Sequence, residues 1–296
     1  MHKIGFIGLG NMGTPIALRL NNGQNFLYVY DADGKGKFPE GDFKNIMFCK
    51  DLEEVAKNSD ILFTCLPDIK DLRSVLLGKN RNGAIFYMGT GSLCVDLGSS
   101  DPLGTVELEK RVRMLGIDML DAPISGGVKS AKTGELTIMV GGSEACFERV
   151  KPFLQLFGKK IAHVGKVGSG QALKCLNNLC SATGLLIVSE CLLVAQKFGI
   201  DPRVFVEVVN ASTGRNNSTE NKLKQFILSG SFDSGFSLSL MNKDLNSALK
   251  LEKKMGKSFP LSMASIDSWE QAEKLLKQEA DHTEIIRCLE DRQMIT

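Results

Sequence analysis

At 296 residues, with 43% hydrophobic and 24% charged content, the chain has the composition of a soluble globular protein large enough for one big domain or two smaller ones. A formal net charge of +2 excludes the basic footprint that nucleic-acid binding demands and points to small-molecule chemistry. The first strand-like run, residues 3–7, starts too early for a signal or transit peptide to fit ahead of it, so a cytoplasmic protein is expected, or a mitochondrial matrix protein already trimmed.

In chain order, KIGFIG, FLYVYD, DILFTCLP, LCVDLG, MLDAPIS and LTIMVGG are β-rich, with helical patterns such as MGTPIALRLNN and DLEEVAKNS between them. Strands alternating with helices imply β-α-β units and an α/β fold, a doubly wound parallel sheet. After about residue 164 the periodicity turns helical, through ALKCLNNLCSATGLLIVSECLLVAQKFG, DPRVFVEVVNAS, TENKLKQFILSG, SLMNKDLNSALKLEKKMG and SIDSWEQAEKLLKQE. Two domains are expected, 1–164 and 165–296, the second all-helical and entered by one long helix. Its most apolar stretch, ATGLLIVSECLLVA, is too short for a bilayer and carries Glu190, so a buried helix rather than a membrane contact is expected. Eight scattered cysteines without a C-x-x-C pair or a histidine at ligand spacing read as reduced, buried small hydrophobes, and no metal site is expected.

Gly8, Gly10 and Gly13 form G-x-G-x-x-G directly after a strand and at the start of a helix, the setting that gives this motif its meaning. Gly8 permits the tight turn, Gly10 lets the backbone approach a pyrophosphate, and Gly13 lets helix and strand pack closely. Leu9, Asn11 and Met12 complete the cofactor loop, and the helix N-terminus offers free N–H groups and a positive dipole end to phosphate. The acidic residue expected about 20 positions on is Asp31, which accepts from both ribose hydroxyls and repels a 2′-phosphate. NAD is therefore favoured over NADP, although Lys35 and Lys37 partly offset the repulsion. Residues 1–164 thus read as an NAD-binding Rossmann domain.

With these residues placed, the chain resembles the β-hydroxyacid dehydrogenase family, which includes 3-hydroxyisobutyrate dehydrogenases and tartronate semialdehyde reductases. The likeness spans nearly the whole chain and rests on GFIGLGNMG, DAPISGGVKSAKTGEL, GSGQALKCLNN and FSLSLMNKDLNSALKL, in that order. It implies a Rossmann domain joined by a long helix to a helical substrate and dimerisation domain. The resemblance also makes Lys174 the general acid/base and Asn178 a substrate ligand. Positions i and i+4 lie on one helix face, so amine and amide can converge on one hydroxyl. A lysine near its usual pKa of about 10.4 is a poor base at neutral pH, and burial beside a cationic nicotinamide would depress it.

Ser125, Gly126 and Gly127 follow the rigid Pro123, where successive amides and the serine hydroxyl can form an anion-binding concavity. The family uses this segment for the substrate carboxylate. Leu66, Pro67 and Lys243 are implied as cofactor contacts, and so is Ser99, although Gly98 and Ser99 stand where the family pattern has Ser-Thr. The loop 210–217 contains Arg215, either a ligand for a substrate carboxylate or part of a polar surface loop. The reading is NAD-dependent oxidation of a small β-hydroxy acid to its semialdehyde, or the reverse reduction. Tartronate semialdehyde reduction, a 6-phosphogluconate dehydrogenase-like activity and a non-catalytic NAD sensor are the alternatives. The apolar long helix and the family likeness lead to the expectation of a homodimer or homotetramer.

Overall fold

The computed structural model describes residues 2–34, 36, 38–39, 41, 43–277 and 279–291. Two compact units divide the chain, Met1–Lys174 and Cys175–Thr296. This division by compactness falls inside the long helix, whose first turns are hydrogen-bonded to the sheet of the first unit.

In the first unit, strands β1 (His2–Ile7), β2 (Asn25–Tyr30), β3 (Ile46–Phe48), β4 (Ile61–Thr64), β5 (Leu93–Asp96), β6 (Asp118–Asp121), β7 (Ile124–Ser125), β8 (Leu136–Gly141) and β9 (Gly158–Gly165) form one sheet. Helices α1 (Gly13–Leu20), α2 (Leu52–Lys57), α3 (Ile69–Leu77), α4 (Pro102–Arg113), α5 (Gly127–Thr133) and α6 (Glu144–Leu154) connect them. The order is β3-β2-β1-β4-β5-β6-β8-β7, with β9 on β8. From β3 to β6 the pairs are parallel, while β8 runs antiparallel to β6 and β7. The doubly wound sheet therefore carries an antiparallel extension absent from the sequence reading.

Side-chain alternation shows why these runs are central strands. Ile61 and Phe63 enter one core cluster and Leu62 the opposite one, and Leu93 and Val95 are likewise separated from Cys94. Aspartates placed one residue before a helix do the capping. Asp51, Asp68 and Asp101 accept from first-turn amides of α2, α3 and α4, each worth about 1 kcal/mol. The expected strand MLDAPIS is broken into β6 and β7 at Pro123, which has no N–H to give a ladder. Two strands escaped the pattern: β3 is only three residues long, and β9 carries exposed Lys159 and Lys160 near its start.

The long helix α7 runs from Ser169 to Phe198. By length and composition alone it could cross a membrane, and half of its most apolar window is buried within the fold. The second unit continues with α8 (Pro202–Asn210), a π-helix (Ser218–Ile227), α9 (Leu238–Lys254), α10 (Pro260–Leu275) and, after a short 3₁₀ turn, α11 (Ile285–Asp291). TENKLKQFILSG, expected as an ordinary helix, thus takes the wider i to i+5 form over most of its length. The core of this unit gathers Leu185, Leu192, Leu223, Leu245, Ile285 and the fully buried Trp269.

Among the described residues, the eight cysteines form no disulfide. Cys180 and Cys191 correct the expectation of burial, because both lie on the outward face of α7. Among the described residues no group of three His, Cys, Asp or Glu side chains is placed to hold a metal ion.

Candidate active site

β1 and β4 are neighbours whose chains continue in opposite directions across the sheet, which leaves a crevice at their C-terminal ends. Gly8 turns the chain there with φ of +97°. A Cβ on Gly8 would sit 2.5 Å from the Cys65 carbonyl just beyond β4, and a Cβ on Gly13 would collide with the Gly8 carbonyl. Gly10 instead faces open space, so its bare backbone is available to a ligand. Met12 supplies no side-chain cap to α1, which leaves first-turn amides for an anion.

Asp31, just past β2, accepts from Leu9 N at 2.5 Å and from Asp33 N at 2.9 Å. The carboxylate is thereby fixed against the glycine loop it was paired with in the sequence. Leu66 is half-buried and Pro67 exposed immediately after β4, and Asn11 is exposed on the loop. Ser99 is half-buried behind β5. Lys35 and Lys37 lie outside the described residues. These features fit a dinucleotide: a bare-backbone turn, an uncapped helix start and an acceptor at the end of the second strand.

Beneath the start of α7 lies a buried polar network that sequence reasoning missed. Asp121, at the end of β6, is fully buried and accepts from Gly168 N at 2.7 Å and Gln171 N at 2.8 Å. Burial pushes its carboxyl up to about 6, against those two hydrogen bonds, and the nearby Asp96 adds to the rise. Gln171 bridges onward: its Nε2 donates to Asp96 Oδ2 at 3.2 Å and to the Gly98 carbonyl at 2.9 Å, and its Oε1 accepts from Ser100 N at 2.9 Å. A side chain at Gly170 would strike the Met139 carbonyl. The glycines of GSGQALK therefore let the helix dock directly on the strand ends, and Lys174 projects one turn beyond Gln171.

Lys174 is only 9% exposed and Asn178, one turn on, 6%. Within the second unit, Asn178 Nδ2 donates to Asp244 Oδ2 of α9 at 2.6 Å, and its Oδ1 accepts from Asn177 Nδ2 at 3.2 Å. Lys243 reaches Asp244 Oδ1 at 3.4 Å. Asp244 was legible only as the neighbour of Lys243, and its hydrogen bond to Asn178 spans 66 positions of sequence.

Ser125 is half-buried at the end of β7, followed by Gly126 and Gly127 with φ of +133° and +71°, which favour glycine. Both glycines are exposed, and Gly127 faces open space. Arg215, expected either as a carboxylate ligand or as part of a polar surface loop, is exposed, with Nε 3.7 Å from Glu220 Oε1.

Two family models cover the chain. Residues 3–165 match the NAD-binding domain of 6-phosphogluconate dehydrogenase, and residues 168–289 match the NAD-binding model of NADP-dependent 3-hydroxyisobutyrate dehydrogenase. A 2-(hydroxymethyl)glutarate dehydrogenase of Eubacterium barkeri is 36% identical, covering 97% of this chain and 95% of its own. The 2-hydroxy-3-oxopropionate reductase of Escherichia coli K12 is also 36% identical, with 97% of each chain covered. Among solved structures, 3-hydroxyisobutyrate dehydrogenase of Mycobacterium tuberculosis with L-serine superposes with a TM-score of 0.85 at 26% identity, covering 98% of this chain and 99% of that one. Fold, glycine loop and full-length relatives agree: the chain belongs to the β-hydroxyacid dehydrogenase family, NAD(P)-dependent oxidoreductases that act on CH–OH groups.

Proposed function

We propose that this protein interconverts a small β-hydroxy acid and its semialdehyde with NAD, using Lys174 as general acid/base. One observation carries the reading: a buried amine and a buried amide stand on successive turns of a single helix whose start is hydrogen-bonded to the sheet. In the oxidative direction Lys174 Nζ takes the hydroxyl proton. Asn178 Nδ2 keeps one N–H for Asp244 and has a second to give to the same oxygen. The hydroxyl and amides of Ser125, Gly126 and Gly127 hold the carboxylate. The Gly8–Gly13 loop would hold NAD, which would supply the hydride acceptor for the carbinol carbon. Asp31 accepts from the adenosine ribose and disfavours a 2′-phosphate, while Leu66, Pro67, Ser99 and Lys243 complete the cofactor contacts that the family resemblance implies.

The 36% identity to a 2-hydroxy-3-oxopropionate reductase supports the reductive direction as a second reading. A single assay tests both. Absorbance of NADH or NADPH is followed with 3-hydroxyisobutyrate, 2-(hydroxymethyl)glutarate, glycerate and 6-phosphogluconate, and in reverse with 2-hydroxy-3-oxopropionate. Turnover of a short β-hydroxy acid with NAD is expected. Tight NAD binding with no turnover of any of them would overturn the reading and leave a cofactor-binding protein without this activity.

We also infer self-association through the second unit. Ile187, Val194 and Phe198 of α7 and Val204 and Val208 of α8 expose 50% or more of their surface, Phe198 as much as 86%. Exposed apolar side chains so concentrated mark an interaction surface. Sedimentation at micromolar protein should show a homodimer or homotetramer, and a single monomer species would overturn this.

A further inference from the structure

Lys222 is an inward-turned cation that the proposed chemistry leaves unused. It lies in the π-helix of the second unit, and its Nζ donates to Ser181 Oγ of α7 at 3.0 Å. Ser181 is three residues beyond Asn178 and seven beyond Lys174. At about 100° per residue, seven steps return to within about 20° of the starting direction, and the axial rise is about 10 Å. Lys174, Asn178 and Ser181 therefore share one face of α7, and Lys222 marks the far end of that face.

Ordinary structural pairing does not account for this ammonium. Among the described residues it makes no ion pair within 4.0 Å, and its hydrogen bond goes to a neutral hydroxyl. Asp281, whose charge acts on it, has its oxygens hydrogen-bonded to other groups: they accept from Ser234 Oγ, Gly235 N, Thr283 N and Thr283 Oγ1. Burial pushes the Lys222 ammonium down to about 8, with Asp281 opposing the fall. A charge this sheltered is unfavourable unless an anion joins it.

We propose that Lys222 and Ser181 bind a second carboxylate of the substrate, separated by a short methylene chain from the hydroxymethyl group that Lys174 deprotonates. The preferred substrate is then a β-hydroxy dicarboxylate and not a monocarboxylate. This deepens the proposed function and rests on it for the placement of the reacting hydroxyl. The 3.0 Å bond to Ser181 supports the assignment because it aims the ammonium at the Asn178 face and leaves Nζ two further hydrogens for a carboxylate.

Two measurements on the full-length chain test it. The first is the ratio of kcat/KM for 2-(hydroxymethyl)glutarate to that for 3-hydroxyisobutyrate. In Lys222→Met this ratio should fall about 30-fold, the usual consequence of removing one partner of a sheltered charge pair, and Lys222→Arg should retain most of it. An unchanged ratio in a Lys222→Met protein with a wild-type thermal melt would overturn the proposal. The second needs no turnover: with NAD present, glutarate should raise the melting temperature of the wild type and Lys222→Arg far more than butyrate does, and lose that advantage in Lys222→Met. Equal stabilisation by both acids in the wild type would overturn it. If glutarate discriminates but neither hydroxy acid is oxidised, the anion site stands and the proposed reaction fails.

Discussion

Asn178 and Asp244 are joined by a 2.6 Å hydrogen bond, the amide donating and the buried carboxylate accepting. It fixes which way round the amide sits: with Oδ1 turned to Asn177 and one N–H held by Asp244, the second N–H of Nδ2 is left to donate to a ligand. Asp244→Ala should therefore let Asn178 rotate, and kcat should fall about 100-fold, the scale expected when a ligand-aligning group is misplaced by about an ångström. Stability should drop by about 1–3 kcal/mol, since the amide loses its buried acceptor. Steady-state kinetics and a denaturant melt on the same preparation check both. A purely structural Asp244 would lower the melt and spare kcat.

Lys174→Ala removes the only group assigned to move the proton. Turnover should fall by about 10²–10⁴-fold, the range for loss of general acid/base catalysis, while NAD affinity measured by fluorescence quenching stays close to wild type. Lys174→Arg should be nearly as poor, because a guanidinium does not give up its proton near neutral pH. Retention of more than about a tenth of wild-type activity in the alanine variant would remove Lys174 from its role.

Asp31 accepts from Leu9 N, and in the proposed function it also accepts from the ribose hydroxyls. Asp31→Ser keeps a small polar side chain but removes the charge. The preference for NAD over NADP should narrow by about 10–100-fold, from losing charge-assisted bonds to the ribose and from ending repulsion of the 2′-phosphate. KM values for both cofactors give the answer directly, and an unchanged ratio would show that selectivity is set elsewhere on the loop.

Much of this architecture was legible because it is written locally. The strand-turn-helix around Gly8, Gly10 and Gly13 and the i, i+4 pair Lys174 and Asn178 need only neighbours in sequence. What stayed hidden depends on long-range pairing. Gln171 carries no local signal: only the fold brings it against Asp96, 75 positions away, and Ser100, 71 positions away. Lys222 carried no signal of its own, because the widened turn that brings it to Ser181 leaves no mark in the periodicity. Arg215 was open between a ligand and a polar surface loop, and the fold leaves it exposed beside Glu220, five residues on.

The Asp121 carboxylate gives the fold a distinct pH dependence. Burial raises it from 3.8 to about 6, so the folded chain holds this proton more tightly than the unfolded chain does. Between those two values the native state binds the extra proton, and stability from this group falls as pH rises through that window, then stays level above it. Asp121→Asn cannot titrate and should flatten that slope. The difference in unfolding free energy between wild type and variant, followed by urea denaturation at several values of pH from 4 to 7, isolates it from the other carboxylates. The amide introduced by Asp121→Asn would also offer an N–H where Gly168 N and Gln171 N need acceptors, at 2.7 and 2.8 Å in the wild type. The variant should accordingly loosen the first turn of α7, and kcat should fall more than the KM for NAD changes. A pH slope identical to wild type would mean that Asp121 is ionised across the whole range and that its two hydrogen bonds outweigh its burial.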